Sequence, residues 1–187
     1  MSAILEIPEV RQRVSHLSVE EYHRLDDFNG NGRRTELIRG IVIEKMPKSP
    51  LHCSIAKRLY DLIARMLPLG FIVRHEAPLS LTDSEPEPDI SVVRGSEEAF
   101  FKAHPRTAEL VIEVAVSSLA LDRENASLYA EAEVKEYWIV LASQRTVELY
   151  RRPEGGSYRE TRLLGLSETL ECSSVPGVRM SVADLFA

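Results

Sequence analysis

An acidic residue interrupts the strongly apolar segment "LVIEVAV", which covers residues 110–116. The density of Val and Ile predicts a central strand that is buried on both faces. Glu113 lies inside this strand, and burying a carboxylate is unfavourable unless it is paired or binds a cation. The fold must therefore bring a metal ion or a positively charged side chain, such as a buried arginine, to Glu113.

Helical and strand patterns alternate around this segment. A long amphipathic helix has Ser49 as its N-cap and Pro50 at its first position, while Ser18 caps a shorter helix. Residues 29–34 are typical of a turn, and a hairpin is expected around Gly40. The prediction is an α/β (α+β mixed) fold with a central mixed β-sheet flanked by helices. We expect a single domain over residues 1–187, with residues 1–16 as an N-terminal extension.

Charge and cysteine content narrow the functional classes. The formal net charge is −6, and the basic residues are scattered, which argues against tight non-specific binding of DNA phosphates. No apolar run approaches the roughly 20 residues of a membrane helix, and the N-terminus lacks the basic region of a signal peptide. Cys53 and Cys172 have no metal-type spacing, so reduced thiols and a cytoplasmic location are expected.

A second carboxylate, Asp89, opens the strand in "EPEPDISVV" directly after Pro88. If this strand neighbours that of Glu113, both carboxylates can converge on one Mg²⁺ or Mn²⁺ ion, with the main-chain carbonyl of Val114 as a third oxygen. Such an ion would activate water and neutralise charge on a leaving oxygen. The alternative is a purely structural Pro-Asp turn.

Several segments of the chain resemble those of a known protein family. "PDISVV", "LVIEVAVSS" and "LYAEAEVKEYWIV", together with "LSVEEYHRL", "TELIRGIVIEKM" and "VPGVRMSVADLF", resemble the Uma2 family in the family's own order. The resemblance implies a restriction-endonuclease-like fold of the PD-(D/E)XK type and Mg²⁺-dependent cleavage of DNA. It also implies a homodimer, since endonucleases of this fold often pair to cut two strands.

By this resemblance Asp89 and Glu113 take the two metal-carboxylate positions. The third motif position, where a lysine is expected, is Ala115. In many Uma2 proteins that lysine lies on the following helix, at the position of Asn125, which can orient a water or a phosphate oxygen but carries no charge. Lys45 and Lys57 remain alternative sources of the missing positive charge.

Three further residues receive weaker predictions. Glu36 matches an acidic position of the family's first hairpin and is expected either to complete the acidic cluster or to lie at a strand edge. His52, in the first turn of the long helix, is a candidate catalytic base, with a hydrogen bond at the helix terminus as the alternative. Tyr129 is on the same helical face as Asn125 and is expected to serve packing rather than chemistry.

The leading hypothesis is therefore a Mg²⁺-dependent DNA endonuclease, with Asn125 in place of the usual lysine. The second hypothesis is a catalytically inactive nuclease-fold protein that serves in binding or assembly, which the missing lysine and the negative charge both favour. A third is a metal-dependent hydrolase of a smaller phosphodiester. Cleavage of a small chromogenic diester, but not of DNA, would distinguish the third from the first.

Overall fold

The computed structural model describes residues 7–25 and 34–187. Two compact units divide the chain, an N-terminal unit of residues 1–45 with 82–86 and a main unit of residues 46–81 with 87–187. The predicted turn at 29–34 lies outside the described residues except for Arg34, as does the beginning of the N-terminal extension. The expected single domain remains a prediction.

The N-terminal unit contains two short helices and a hairpin: α1 (Pro8–Arg11), α2 (Val19–His23), β1 (Thr35–Ile38) and β2 (Ile41–Glu44). Ser18 caps α2 as predicted, because its Oγ accepts from the backbone N–H of Glu21, 3.2 Å away. Gly40 turns the hairpin with φ +74°, and a Cβ there would lie 2.6 Å from the Cβ of His16. Only glycine fits this turn without displacing its neighbour.

The main unit holds the larger elements. In chain order they are α3 (Pro50–Met66), β3 (Phe71–His75), β4 (Ile90–Arg94), β5 (Leu110–Ala115), α4 (Leu119–Glu131), β6 (Glu136–Leu141), β7 (Thr146–Glu154), β8 (Ser157–Leu164), β9 (Thr169–Glu171) and β10 (Arg179–Ser181). Two short 3₁₀ helices cover Glu97–Phe100 and Val182–Leu185. The Ser49 cap and the Pro50 start of α3 agree with the sequence analysis.

Six of these strands form one sheet in the order β3-β4-β5-β6-β7-β8. The β5–β6 pair is parallel and all the other neighbouring pairs are antiparallel, so the sheet is mixed, as predicted. The parallel pair requires a crossover, and α4 provides it. Strands β9 and β10 form a separate antiparallel pair.

The two faces of this sheet pack against different helices, α3 on one side and α4 on the other. On one face, apolar side chains of α3, including Ile55, Leu59 and Ile63, join a core cluster with Ile112 and Trp138 of the sheet. Because side chains alternate along a strand, Glu113 and Tyr137 point to the opposite face, where α4 packs. There the rings of Tyr129 and Tyr137 lie 4.8 Å apart, and the Tyr137 hydroxyl donates to the carbonyl of Asp122.

Tyr137 and Trp138 are both fully buried. Because side chains alternate along a strand, these two residues point to opposite faces of the sheet. Helices cover both faces of β6, so both residues are buried. This outcome agrees with the apolar composition of the strand, which is typical of a central strand.

Candidate active site

The register of β4 and β5 brings Asp89 and Glu113 together. Ile90 pairs with Ile112, so Asp89, just before β4, lies opposite Glu113. The backbone N–H of Asp89 donates to Glu113 Oε2 at 3.2 Å, and Asp89 Oδ2 accepts from the backbone N–H of Val114 at 2.9 Å. Each of the two carboxylates predicted to share one site therefore accepts a hydrogen bond from the backbone of the other strand, at the same end of the sheet.

A third acidic residue, Glu76, extends this row. His75 pairs with Ile90 across β3 and β4, and the backbone N–H of Glu76 donates to the carbonyl of Asp89 at 3.2 Å. Glu76 has φ +47°, in the left-handed region that non-glycine residues seldom adopt. Backbone strain of this kind is concentrated at functional sites. Glu76 was not singled out from the sequence.

A lysine does lie at the site, and it is Lys48. Its Nζ is 2.6 Å from Asp89 Oδ1 and 2.8 Å from Glu76 Oε1. Only 19% of its side chain is exposed. Lys48 directly precedes Ser49, the N-cap of α3, so the start of this helix fixes its backbone. The sequence analysis considered Lys45 and Lys57 but missed Lys48.

His52 contacts the same carboxylate. Its Nε2 lies 2.9 Å from Asp89 Oδ2, and its Nδ1 is buried with no hydrogen-bond partner among the residues that the structure describes. The cap of α3 involves the backbone of His52, whose N–H donates to Ser49 Oγ, whereas the ring is directed at Asp89. The imidazole is therefore available to the site and is not used in capping the helix.

Opposing effects determine the charge of Asp89. Burial is the largest influence and disfavours the ionised carboxyl, but the hydrogen bond from His52 and the charges of Lys48 and His52 outweigh it and lower the pKa of Asp89 to about 2. Burial likewise works against the Lys48 ammonium, yet Asp89 and Glu76 raise the pKa of Lys48 above its ordinary value. Both groups are therefore charged at neutral pH.

Glu113 is held from the α4 side. The hydroxyl of Tyr129 donates to Glu113 Oε1 at 3.1 Å, so Tyr129 contacts a candidate metal ligand in addition to its packing against Tyr137. The expectation that Tyr129 serves packing alone was incomplete. Asn125 is buried on α4, one turn before Tyr129. Its predicted role as an orienter of water or phosphate remains a prediction.

Glu36 and Lys57 each have an ion-pair partner of their own. Glu36 belongs to the N-terminal unit, where its Oε2 is 3.7 Å from the Nζ of Lys45. Lys57 projects from α3 with 75% of its side chain exposed, and its Nζ donates to Asp61 at 2.6 Å. The participation of Glu36 in an acidic cluster stays a prediction.

An open pocket of about 830 Å³ lies next to the site. His52 and Glu76, which contact Asp89 and Lys48 respectively, form part of its wall, whereas Asp89, Glu113 and Lys48 are not among its lining residues. Tyr60 and His75 line it as well, with their rings 6.1 Å apart in an edge-to-face arrangement. The pocket is therefore linked to the buried charges through His52 and Glu76.

The acidic residues here are of the type that Mg²⁺ prefers as ligands. Glu76, Asp89 and Glu113 lie at this end of the sheet, with Lys48 between the carboxylates of Asp89 and Glu76. Within the described ranges, no group of three or more His, Cys, Asp or Glu side chains is arranged to hold a metal ion. Mg²⁺ does not need one, because it commonly binds through one or two carboxylates and keeps several waters.

Comparisons with known proteins agree with this geometry. The model of the Uma2 family, described as "Putative restriction endonuclease", matches residues 19–183. A crystal structure described as "a putative nuclease belonging to DUF820", from Anabaena variabilis, superposes with a TM-score of 0.76 at 19% identity, covering 91% of this chain and 97% of that one. This likeness confirms the predicted fold. No curated protein matches the sequence.

No helix in the described ranges combines the length and the apolar character of a transmembrane segment.

Proposed function

The chain belongs to the Uma2 family, and we propose that it is a metal-dependent endonuclease that hydrolyses phosphodiester bonds of DNA at the Asp89–Glu113 pair. The observation that carries this proposal is the hydrogen bond from the backbone N–H of Asp89 to the Glu113 carboxylate, which holds the two acidic residues side by side across β4 and β5. Buried carboxylates gathered in this way are stable only with positive charge beside them. The membership of the family supports nuclease-like chemistry, and the chemistry of the site supports the metal.

In this proposal Asp89, Glu113 and the main-chain carbonyl of Val114 hold Mg²⁺ or Mn²⁺. When bound, the metal supplies Lewis acidity that favours ionisation of a water and neutralises charge on the leaving oxygen. The protein's own residues then have distinct tasks. Tyr129 holds Glu113 in place through its hydroxyl, and His52 holds Asp89 from the start of α3. Asn125 orients a water or a phosphate oxygen, and Glu36 adds to the acidic cluster.

The pocket beside the carboxylates supports a nucleic-acid substrate. It offers an aromatic pair, Tyr60 with His75, and stacking on aromatic side chains is a sequence-tolerant way to bind bases. The net charge of −6 means that shape and stacking must contribute much of the affinity. We also propose that the protein acts as a homodimer in the cytoplasm.

Cleavage assays test this function. Wild type, Asp89→Asn and Glu113→Gln would be incubated with supercoiled and linear DNA in Mg²⁺ or Mn²⁺, with Glu154→Gln as the matched control at an exposed ion pair. We expect cleavage by wild type and by Glu154→Gln, with a loss of at least about 100-fold in the two site variants. Equal cleavage by all four proteins, or none by wild type in either metal, would overturn the proposal.

A second function has one specific observation in its favour. Both oxygens of Asp89 already accept hydrogen bonds from protein donors, and Asn125 brings no charge to the site. A nuclease fold whose site carboxylate already has protein hydrogen-bond partners could serve as an inactive binding or assembly module. DNA binding without cleavage at any metal concentration, unchanged in Asp89→Asn, would support it. Cleavage of a small chromogenic diester alone would instead indicate a smaller substrate.

A further inference from the structure

We propose that Lys48 supplies the positive charge at the cleaved phosphate that a helix-borne lysine supplies in other Uma2 proteins. This inference rests on the proposed nuclease function and assigns a role that neither the family motif nor the sequence pattern gives to this residue. The motif position two residues after Glu113 is Ala115, and the alternative position on α4 is Asn125, so neither offers a cation.

The contacts of Lys48 distinguish it from a surface ion pair. Its Nζ bridges two acidic residues, at 2.6 Å from Asp89 and 2.8 Å from Glu76. Exposed lysine pairs contribute little because solvent screens them, whereas the Asp89 partner is 7% exposed and Lys48 is 19% exposed. The ammonium is therefore positioned in a weakly screened environment, where a positive charge acts strongly on a neighbouring phosphate.

The hydrogen-bonding capacity of Lys48 leaves room for a substrate. A lysine ammonium has three donors, and two of them are directed at Asp89 and Glu76. Among the described residues no further acceptor contacts this ammonium, so its third donor can bind a non-bridging phosphate oxygen. Asp89 would also hold the proposed metal, and its contact with Lys48 would bring the ammonium to the same phosphate.

The partner residue Glu76 links Lys48 to the pocket. Glu76 lies directly after β3, and the pairing of β3 with β4 brings it to Asp89 and to the Lys48 ammonium. Glu76 and His52 line the pocket of about 830 Å³, so a nucleotide in that pocket contacts a direct partner of Lys48. Glu76 is thus a positioning residue for the ammonium.

The step that Lys48 assists balances without a further reactant. The oxygen of a water forms a bond to phosphorus, and the bond from phosphorus to the leaving oxygen breaks. The water gives up one proton to solvent, and the leaving oxygen takes one from solvent. Lys48 keeps all three of its protons and donates a hydrogen bond to a phosphate oxygen whose negative charge increases.

The test compares Lys48→Gln, Lys48→Arg and the double variant Lys48→Gln/Asn125→Lys with wild type, using Lys135→Gln as a control at an exposed lysine. We expect Lys48→Gln to lower kcat for DNA by about 100-fold or more with little change in KM, because the charge acts on the transition state. Lys48→Arg should retain part of the activity, and the double variant should recover part of it. Mn²⁺ affinity, measured by calorimetry, should be unchanged or higher in Lys48→Gln, since a neighbouring positive charge is gone.

Each outcome decides between the two proposals. Cleavage by Lys48→Gln within about threefold of wild type would overturn the role of Lys48 and leave the proposed nuclease function intact. Absence of cleavage by wild type would overturn both. Circular dichroism and thermal unfolding show which variants are folded. If Lys48→Gln is unfolded, the decision rests on the kcat of Lys48→Arg, which keeps the positive charge, compared with that of Lys48→Met, which removes it. A loss of Mn²⁺ binding in folded Lys48→Gln would show that Lys48 maintains the geometry of the metal site rather than acting on the phosphate. That result would contradict the inference.

Discussion

Two buried acidic centres lie in the same sheet, and their surroundings differ. Glu136, at the start of β6, is 1% exposed, and its carboxylate accepts from Trp138 Nε1 at 3.1 Å and from the backbone N–H of Ser173 at 2.6 Å. The guanidinium of Arg151 lies 3.0 Å away. Glu136 is thus one carboxylate with one arginine and several neutral donors.

The Asp89–Glu113 centre is built differently. Lys48 contacts the carboxylates of Asp89 and Glu76, Glu113 accepts from the backbone N–H of Asp89, and His52 and Glu76 line a pocket. None of the partners of Glu136 named above lines that pocket. A buried carboxylate alone therefore does not indicate a functional site. Acidic residues held side by side on adjacent strands, with neighbours that line an open pocket, are what favours binding of a metal and a substrate.

The largest effect on stability is expected at the Glu136 centre. Glu136→Ala leaves Trp138 and Ser173 without their common acceptor and Arg151 without its ion-pair partner, and removing one partner of a buried pair typically costs about 3–5 kcal/mol. Urea unfolding measures this loss. Cleavage per folded molecule should stay at the wild-type level. A loss of cleavage larger than the loss of folded protein would show that Glu136 also serves function and would remove the contrast between the centres.

The next effect concerns acid stability at the other centre. The pKa of Asp89 is lowered from 3.8 to about 2 in the folded protein, so its ionised form stabilises the fold above pH 4 and this contribution disappears as the pH falls towards 2. At about 1.4 kcal/mol for each pKa unit, the contribution is about 2 kcal/mol. Urea unfolding across this range should show a steeper loss for wild type than for Asp89→Asn. Parallel curves would contradict the charge state assigned to Asp89.

A smaller effect on stability is expected when either of two tyrosines is replaced, and the effect on cleavage should differ between them. Tyr129→Phe and Tyr137→Phe each remove one hydrogen bond, and each should lower the free energy of unfolding by about 1 kcal/mol. Only Tyr129 donates to Glu113, whereas Tyr137 donates to the carbonyl of Asp122. We therefore expect a several-fold loss of cleavage in Tyr129→Phe and none in Tyr137→Phe. The same loss in both variants would mean that it arises from packing of the ring pair.

The smallest effect is expected at the surface. Glu154 pairs with Arg159 at 2.9 Å, and 72% of the Glu154 side chain is exposed. Glu154→Gln should change the free energy of unfolding by less than about 0.5 kcal/mol and leave cleavage unaltered. A larger change in either measurement would make this variant unsuitable as a baseline for the buried centres.

Much of the fold was accessible from the sequence because its cues are local. The cap of α3 follows from Ser49 and Pro50, and the buried strand of Glu113 follows from its Val and Ile content. Asp89 was predicted because Pro88 marks the start of its strand. Even so, the contact between Asp89 and Glu113 depends on a register between strands that are separated in the chain, which only the structure supplies.

Lys48 and Glu76 were missed for a physical reason. Lys48 lies in the segment before a helix cap and contacts a residue 41 positions away, and no periodic pattern encodes such a contact. Glu76 is brought to Asp89 by the pairing of β3 with β4. One sequence pattern points to Lys48. It lies four residues before His52, which was already a candidate, so a site at the start of α3 would contain both residues.

The most direct test of the central claim is a calorimetric titration of wild type and Glu113→Gln with Mg²⁺ and Mn²⁺ in the presence of uncleaved DNA. We expect wild type to bind the metal with saturable heat and Glu113→Gln to lose this binding while remaining folded, with Glu154→Gln binding as wild type does. Absence of metal binding by wild type, or equal binding by Glu113→Gln, would contradict a metal-dependent site at the Asp89–Glu113 pair.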